Sequence, residues 1–83
     1  MYQVLLTNEA EKQLKSLDSR YQKALAQGLK RLAQNPRVGA PLRREFKGKY
    51  KLRVSRYRII YEFNYEKKII WILTIDHRKD VYR

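Results

Sequence analysis

The 83 residues of the chain suffice for one small domain, 1–83, that buries roughly 60% of its unfolded surface, and they are too few for a second. Twenty Lys and Arg against eight Asp and Glu give a net charge of +12, which points to an anionic partner, nucleic acid or an acidic protein ahead of a membrane surface. No cysteine is present, which excludes a disulfide framework or thiolate metal site, and no run nears the roughly 20 apolar residues of a membrane span.

The opening MYQVLLTNEAEK lacks the basic start and long apolar run of a secretion signal, so a soluble cytoplasmic protein is expected. Tyr2 to Leu6 is a brief apolar run suited to a buried strand. Asn8 with Glu11 has the capping-box spacing and opens a helix whose inner face carries Ala10, Leu14 and Leu17. Asp18 or Ser19 caps a second helix, on which Tyr21, Ala24, Leu25, Gly28, Leu32 and Ala33 recur at helical spacing. Asn35-Pro36 ends it, because residues before proline avoid helical geometry.

Residues 37–49 hold Gly39, Pro41 and Gly48 and read as a connecting loop with an extended piece at Leu42 to Phe46. Three strand-like runs follow. Tyr50, Leu52 and Val54 alternate with Lys51, Arg53 and Ser55, and Tyr57, Ile59, Tyr61 and Phe63 alternate with Arg58, Ile60 and Glu62. After a turn at Asn64 to Lys67, Lys68 to Ile75 is apolar on both faces, as in a central strand. The expected fold is α+β: an N-terminal strand, a two-helix hairpin and a three-strand antiparallel meander, with the helices on one face of the sheet.

A two-residue connection at Ser55-Arg56 sets Val54 opposite Tyr57, Arg53 opposite Arg58, Leu52 opposite Ile59 and Lys51 opposite Ile60. Apolar residues then meet on one face, and a one-residue slip would turn them all outward. Ser-Arg is a poor sequence for primed turns, which leaves a longer or bulged loop open. In this register Lys51, Arg53 and Arg58 leave the sheet on the side away from the helices. Like charges directly opposite one another oppose folding. A plain solvated face is one reading of them. A phosphate site is the other, since guanidinium forks match phosphate oxygens. Tyr50, Tyr57 and Tyr61 fall on the core face and are expected to pack there.

His77 is the only histidine, so no histidine pair for acid–base or metal chemistry is available, and no cofactor is expected. No phosphate-binding glycine loop occurs. Ser16, Ser19 and Ser55 lack a recognisable histidine partner.

The order strand, helix pair, YKLRVSRYRIIYEF, apolar strand and HRKDVYR resembles the RelE/ParE superfamily of toxins from toxin–antitoxin pairs, and its RelE-type ribonuclease branch most. The resemblance covers nearly the whole chain and is tightest from Leu42 to Arg83. It implies a metal-independent, ribosome-dependent endoribonuclease that cuts messenger RNA in the decoding site, the 2′-hydroxyl attacking the adjacent phosphate. Lys51 stands at the family's catalytic lysine, as base or charge stabiliser, and Arg53 stands where the best-known members carry a second lysine. Arg58 matches an arginine that steadies the phosphate, Arg78 the one assigned to the leaving 5′-oxygen, and Tyr82 a tyrosine that orients the RNA. An arginine at 53 stabilises charge but accepts no proton. His77, where some relatives place a catalytic histidine, is the alternative to Lys51 for proton transfer. Arg43, Arg44, Lys47, Lys49 and Arg56 are expected to hold RNA.

The resemblance also implies an acidic, RelB-like antitoxin that folds on binding, wraps the toxin in a higher-order complex and docks on the helix pair and exposed sheet edges. Two other functions stay open: a ParE-like poison of DNA gyrase, and a basic RNA- or ribosome-binding module without catalysis.

Overall fold

The computed structural model describes residues 1–77. Its elements run β1 (Gln3–Leu6), α1 (Asn8–Lys15), α2 (Ser19–Gln34), β2 (Ala40–Pro41), β3 (Tyr50–Val54), β4 (Tyr57–Asn64) and β5 (Ile69–His77), with short 3-10 turns at Pro36–Val38 and Arg44–Phe46. The sheet has five strands in the order β1-β5-β4-β3-β2. The expected α+β architecture is present, with β2 as an additional short edge strand. No described helix is long and apolar enough to cross a membrane.

The first helix starts one residue earlier than its capping-box spacing implied. Thr7, not Asn8, is the N-cap: its Oγ1 accepts the Ala10 N–H at 3.1 Å and donates to the Leu73 carbonyl at 2.8 Å. A hydroxyl both donates and accepts, so one side chain caps the helix and ties it to β5. Glu11, expected to reach back to the cap, instead pairs with Lys15 one turn on at 3.1 Å. Asp18 caps α2 without a side-chain hydrogen bond. Gln22 of α2 donates to the Leu14 and Lys15 carbonyls that end α1, at 3.2 Å each.

The extended piece expected at Leu42 to Phe46 lies earlier, at Ala40–Pro41, paired with Lys51 and Tyr50. The Tyr61 hydroxyl is the cause. It donates to the Pro36 carbonyl and accepts the Gly39 N–H at 3.1 Å, drawing the chain onto the edge of β3 just before Ala40. Residues 42–49 then close on themselves, with the Leu42 N–H donating to the Lys49 carbonyl at 2.8 Å and Arg44 at a positive φ of 60°.

The β3–β4 register is the expected one: Val54 faces Tyr57, Arg53 faces Arg58, Leu52 faces Ile59 and Lys51 faces Ile60. The connection is tight, neither longer nor bulged. Ser55 alone takes a positive φ, 58°, the pattern of a type II′ turn normally given to glycine. Cross-strand packing overrides the local preference of Ser-Arg.

The irregularity lies in β5 instead. Tyr61 pairs with Ile72 and Ile60 with Thr74, so Leu73 is the extra residue of a β-bulge. Alternation along β5 therefore changes phase at Leu73. Ile70, Ile72 and Ile75 all reach the buried core, while Thr74 and Asp76 move to the face away from the helices. Tyr61, Leu25, Leu32, Ile59, Ile70 and Ile72 are fully buried, each contributing about 1.5–3 kcal/mol of transfer free energy. Gly28 brings α2 onto the sheet: a Cβ there would stand 2.7 Å from Val54 Cγ2.

Two outcomes test this packing. Gly28→Ala, although better suited to a helix, lowers stability by about 1–3 kcal/mol because stiff Val54 cannot yield; urea unfolding measures the loss. Burial raises the Tyr61 phenol above its ordinary value of 10.0, with a smaller lowering by the Gly39 N–H and a further rise from Tyr50. The fold thus holds the Tyr61 proton more tightly than the unfolded chain does. That contribution is complete below pH 10 and is lost as pH climbs through the raised value. Tyr61→Phe flattens this alkaline fall in a pH series of melts, and costs about 1–3 kcal/mol at neutral pH through the unpaired Pro36 carbonyl and Gly39 N–H.

Candidate nucleic-acid interface

The face of the sheet away from the helices is organised in cross-strand rows. Arg53, Arg58 and Asp76 form one, and Lys51, Ile60 and Thr74 the next. Directly opposed Cβ atoms lie roughly 4.5–5.5 Å apart, so Lys51, Arg53 and Arg58 form one cationic cluster that no helix covers.

Arg58 is the best-placed of the three. Its Nη2 lies 3.7 Å from Asp76 Oδ2, with both side chains largely but not wholly shielded. Asp76 Oδ1 accepts the Thr74 hydroxyl at 3.1 Å. Gln13 of α1 touches the same hydroxyl at 3.1 Å and accepts the Ile75 N–H at 2.6 Å through Oε1. This chain of polar groups fastens Arg58 to the first helix. The Arg58 Nε is nonetheless buried with no hydrogen-bond partner, an orphan donor of a kind that folded proteins leave rarely. The rest of the guanidinium is only partly shielded, and that is the part an anion approaching this face would meet. Asp76 also answers the repulsion between Arg53 and Arg58, a pairing not legible in the sequence because without the bulge Asp76 would point to the helices.

Beside Arg58 the loop at residues 42–49 overhangs the sheet. Together they line an open hollow of about 450 Å³ bounded by Leu42, Phe46, Lys49, Ile60 and Glu9. Arg43, Arg44 and Lys47 are exposed on the same loop.

Two of the expected site residues lie elsewhere. His77 pairs with Tyr57 across the strands, on the helix-packed side, with the two rings edge to face at 5.2 Å. The structure therefore does not bring its imidazole onto the face of Lys51 and Arg58, again because of the phase change at Leu73. Arg56 sits 5.7 Å over the Tyr21 ring of α2, a cation–π contact that holds the turn to the helix. Tyr50, Tyr57 and Tyr61 pack inside as expected, with Tyr50 stacked on Tyr61 at 5.6 Å and Tyr57 against Tyr21 at 5.4 Å. Arg78 and Tyr82 lie outside the described residues. No cluster of three metal-ligating side chains occurs among the described residues.

A family model described as the ParE toxin of type II toxin–antitoxin systems, parDE, matches residues 4–82. Toxin RelG of Mycobacterium tuberculosis is 38% identical over 84 residues, spanning 99% of this chain and 97% of its own length. A RelE-like toxin of Escherichia coli is 34% identical over 85 residues, with 98% and 90% covered. Among solved structures, a RelBE toxin–antitoxin complex from Mycobacterium tuberculosis superposes with a TM-score of 0.84 at 37% identity, covering 93% of this chain and 98% of that one. The isolated RelE toxin of Escherichia coli shares the fold at a TM-score of 0.80 and 24% identity, covering 93% and 84%.

The pairing of Arg58 with Asp76 yields a test independent of any reaction. Asp76→Asn frees the guanidinium for a phosphate, so affinity for single-stranded RNA rises at low salt and the slope of log affinity against log salt steepens by about 0.7. Fluorescence anisotropy across a salt series measures both.

Proposed function

Because the chain belongs to the RelE/ParE superfamily of type II toxin–antitoxin toxins, in its RelE-type branch, we propose that it is a ribosome-dependent endoribonuclease that cuts translated messenger RNA. The observation that carries this reading is the cationic cluster of Lys51, Arg53 and Arg58 in neighbouring cross-strand rows, with the Arg58 guanidinium only partly shielded. In the reaction the 2′-hydroxyl of one nucleotide attacks the adjacent phosphorus and the 5′-oxygen of the next nucleotide leaves. Negative charge grows on the phosphate oxygens, and a pre-placed guanidinium meets it without reorganisation. Arg58 takes those oxygens and Arg53 adds charge beside it.

Within the cluster of Lys51, Arg53 and Arg58, Lys51 is the one with an amine to exchange a proton with the 2′-hydroxyl. Its position on the cationic side, with His77 on the other, favours it for that role. Arg78 and Tyr82 carry the parts the resemblance gives them, at the leaving oxygen and at the RNA base. A site made almost wholly of cations lacks a strong base, so in-line geometry must supply much of the rate. The ribosome is proposed to provide that geometry by holding the message in its decoding site.

The partner that restrains it is proposed to be an acidic RelB-like antitoxin encoded with it, bound in the cytoplasm; the mycobacterial structure at 37% identity is itself a RelBE toxin–antitoxin complex. A ParE-like action on DNA gyrase is the second reading, favoured by the name of the matching family model.

Primer extension on messages translated in a purified system tests the first reading. The parent cuts within the codon in the decoding site, and Arg58→Ala and Arg78→Ala each lower cutting by about 10²- to 10³-fold, the range for loss of one charge-stabilising donor. Undiminished cutting by both variants removes the assigned site, and inhibition of gyrase supercoiling with no cut message moves the protein to the second reading.

A further inference from the structure

We propose that the hollow between the 42–49 loop and the sheet is a nucleobase pocket that takes the base beside the phosphate held by Arg58, and that Glu9 makes it select amino-bearing bases over uracil. The inference rests on the RNA reading above and adds what that reading lacks, a source of base preference.

The hollow has the composition such a pocket needs. At about 450 Å³ it falls in the roughly 300–1,000 Å³ of small-molecule sites. Phe46, half exposed at 51%, stands over it as an aromatic surface, and Leu42 and Ile60 supply an apolar floor. Lys49 and Arg58 line it as well, so a backbone phosphate and its base are served together: cations for one, an aromatic face for the other. The loop that presents Phe46 is closed by its own hydrogen bonds, Leu42 N–H to the Lys49 carbonyl at 2.8 Å and Lys49 N–H to the Phe46 carbonyl at 3.0 Å. The aromatic surface is thus in place before a ligand arrives.

Lys49 and Arg58 are the donors of the hollow and serve the phosphate, and the Thr74 hydroxyl is turned to Asp76, which leaves the carboxylates Glu9 and Asp76 as the acceptors facing a base. Asp76 is occupied by Arg58 and Thr74. Glu9, in the first turn of α1, lines the same hollow, and its carboxylate makes no ion pair or side-chain hydrogen bond among the described residues. A carboxylate accepts from the exocyclic amines of cytosine, adenine and guanine. Uracil offers a single N–H between two carbonyl oxygens that the carboxylate repels. An aliphatic side chain from a protein partner would bury Glu9 with nothing to pair it, which is costly. The occupant that fits every lining group is therefore a base with an amine.

The test uses binding, so that it does not depend on cleavage. Fluorescein-labelled oligocytidine and oligouridine are titrated into the full chain, released from any antitoxin, and followed by anisotropy at fixed salt. The parent prefers the cytidine strand. Glu9→Gln, which both donates and accepts, brings the ratio of the two affinities toward one. Phe46→Ala weakens the cytidine strand about 5- to 150-fold, the loss of one stacked base, and Phe46→Tyr restores it; circular dichroism checks that each variant folds. Equal affinities in the parent, or a ratio that Glu9→Gln leaves unchanged, overturn the pocket. A Phe46→Ala variant that loses antitoxin but neither oligonucleotide assigns the hollow to the protein partner and overturns it too. If the parent discriminates the strands yet Arg58→Ala still cuts messages, the pocket stands and the assigned cleavage site falls.

Discussion

Everything on the functional face depends on one extra residue in the central strand. β5 must fill the core from both sides of Leu73, and Ile70, Ile72 and Ile75 do so only if alternation changes phase between the second and third. Burying Ile75 is worth about 1.5–3 kcal/mol, enough to favour the bulge over an unbroken ladder that would turn it outward. The same step sends Thr74 and Asp76 to the open face and His77 to the closed one. Hydrophobic burial thereby decides which polar groups meet Arg58.

The polar consequences are then held by α1. Where β1 ends, at Leu6, β5 continues with a free edge, and open strand edges invite unwanted pairing. Thr7 and Gln13 close that edge by taking the Leu73 carbonyl and the Ile75 N–H. Gln13 continues through Thr74 to Asp76 and so to the guanidinium. A short helix of eight residues, too short to persist alone in water, is stabilised by the strand whose edge it protects. The position of Arg58 and the docking of α1 are in this sense one structural unit.

Much of the architecture was legible in the sequence because it rests on alternation. The β3–β4 register, the inward tyrosines, the outward Lys51, Arg53 and Arg58, and the two helices all follow from apolar spacing. Where spacing carries no information, reading failed for identifiable reasons. Ile69 to Leu73 is apolar without a break, so its pattern has no phase and could not reveal the bulge that separates His77 from Arg58. Thr7 and Asn8 are both good caps, and only the Leu73 carbonyl, far along the chain, decides between them. The position of β2 is set by the Tyr61 hydroxyl, a contact across 25 residues. Arg56 finds Tyr21 only once the turn has formed. The hollow, with Phe46 and Glu9 from distant segments, has no local signature.

The parallel pairing of β1 with β5 has a consequence in time. Gln3 lies beside Ile69 and Leu6 beside Ile72, so the first strand made must wait for the last before it has a partner, and closing so long a loop is the slow, entropically costly part of folding. A chain emerging from the ribosome therefore cannot complete its sheet, fasten α1 to the edge of β5, or orient Arg58 until nearly all of it has been synthesised. The functional face is assembled last, so an unfinished copy does not yet present its cationic cluster.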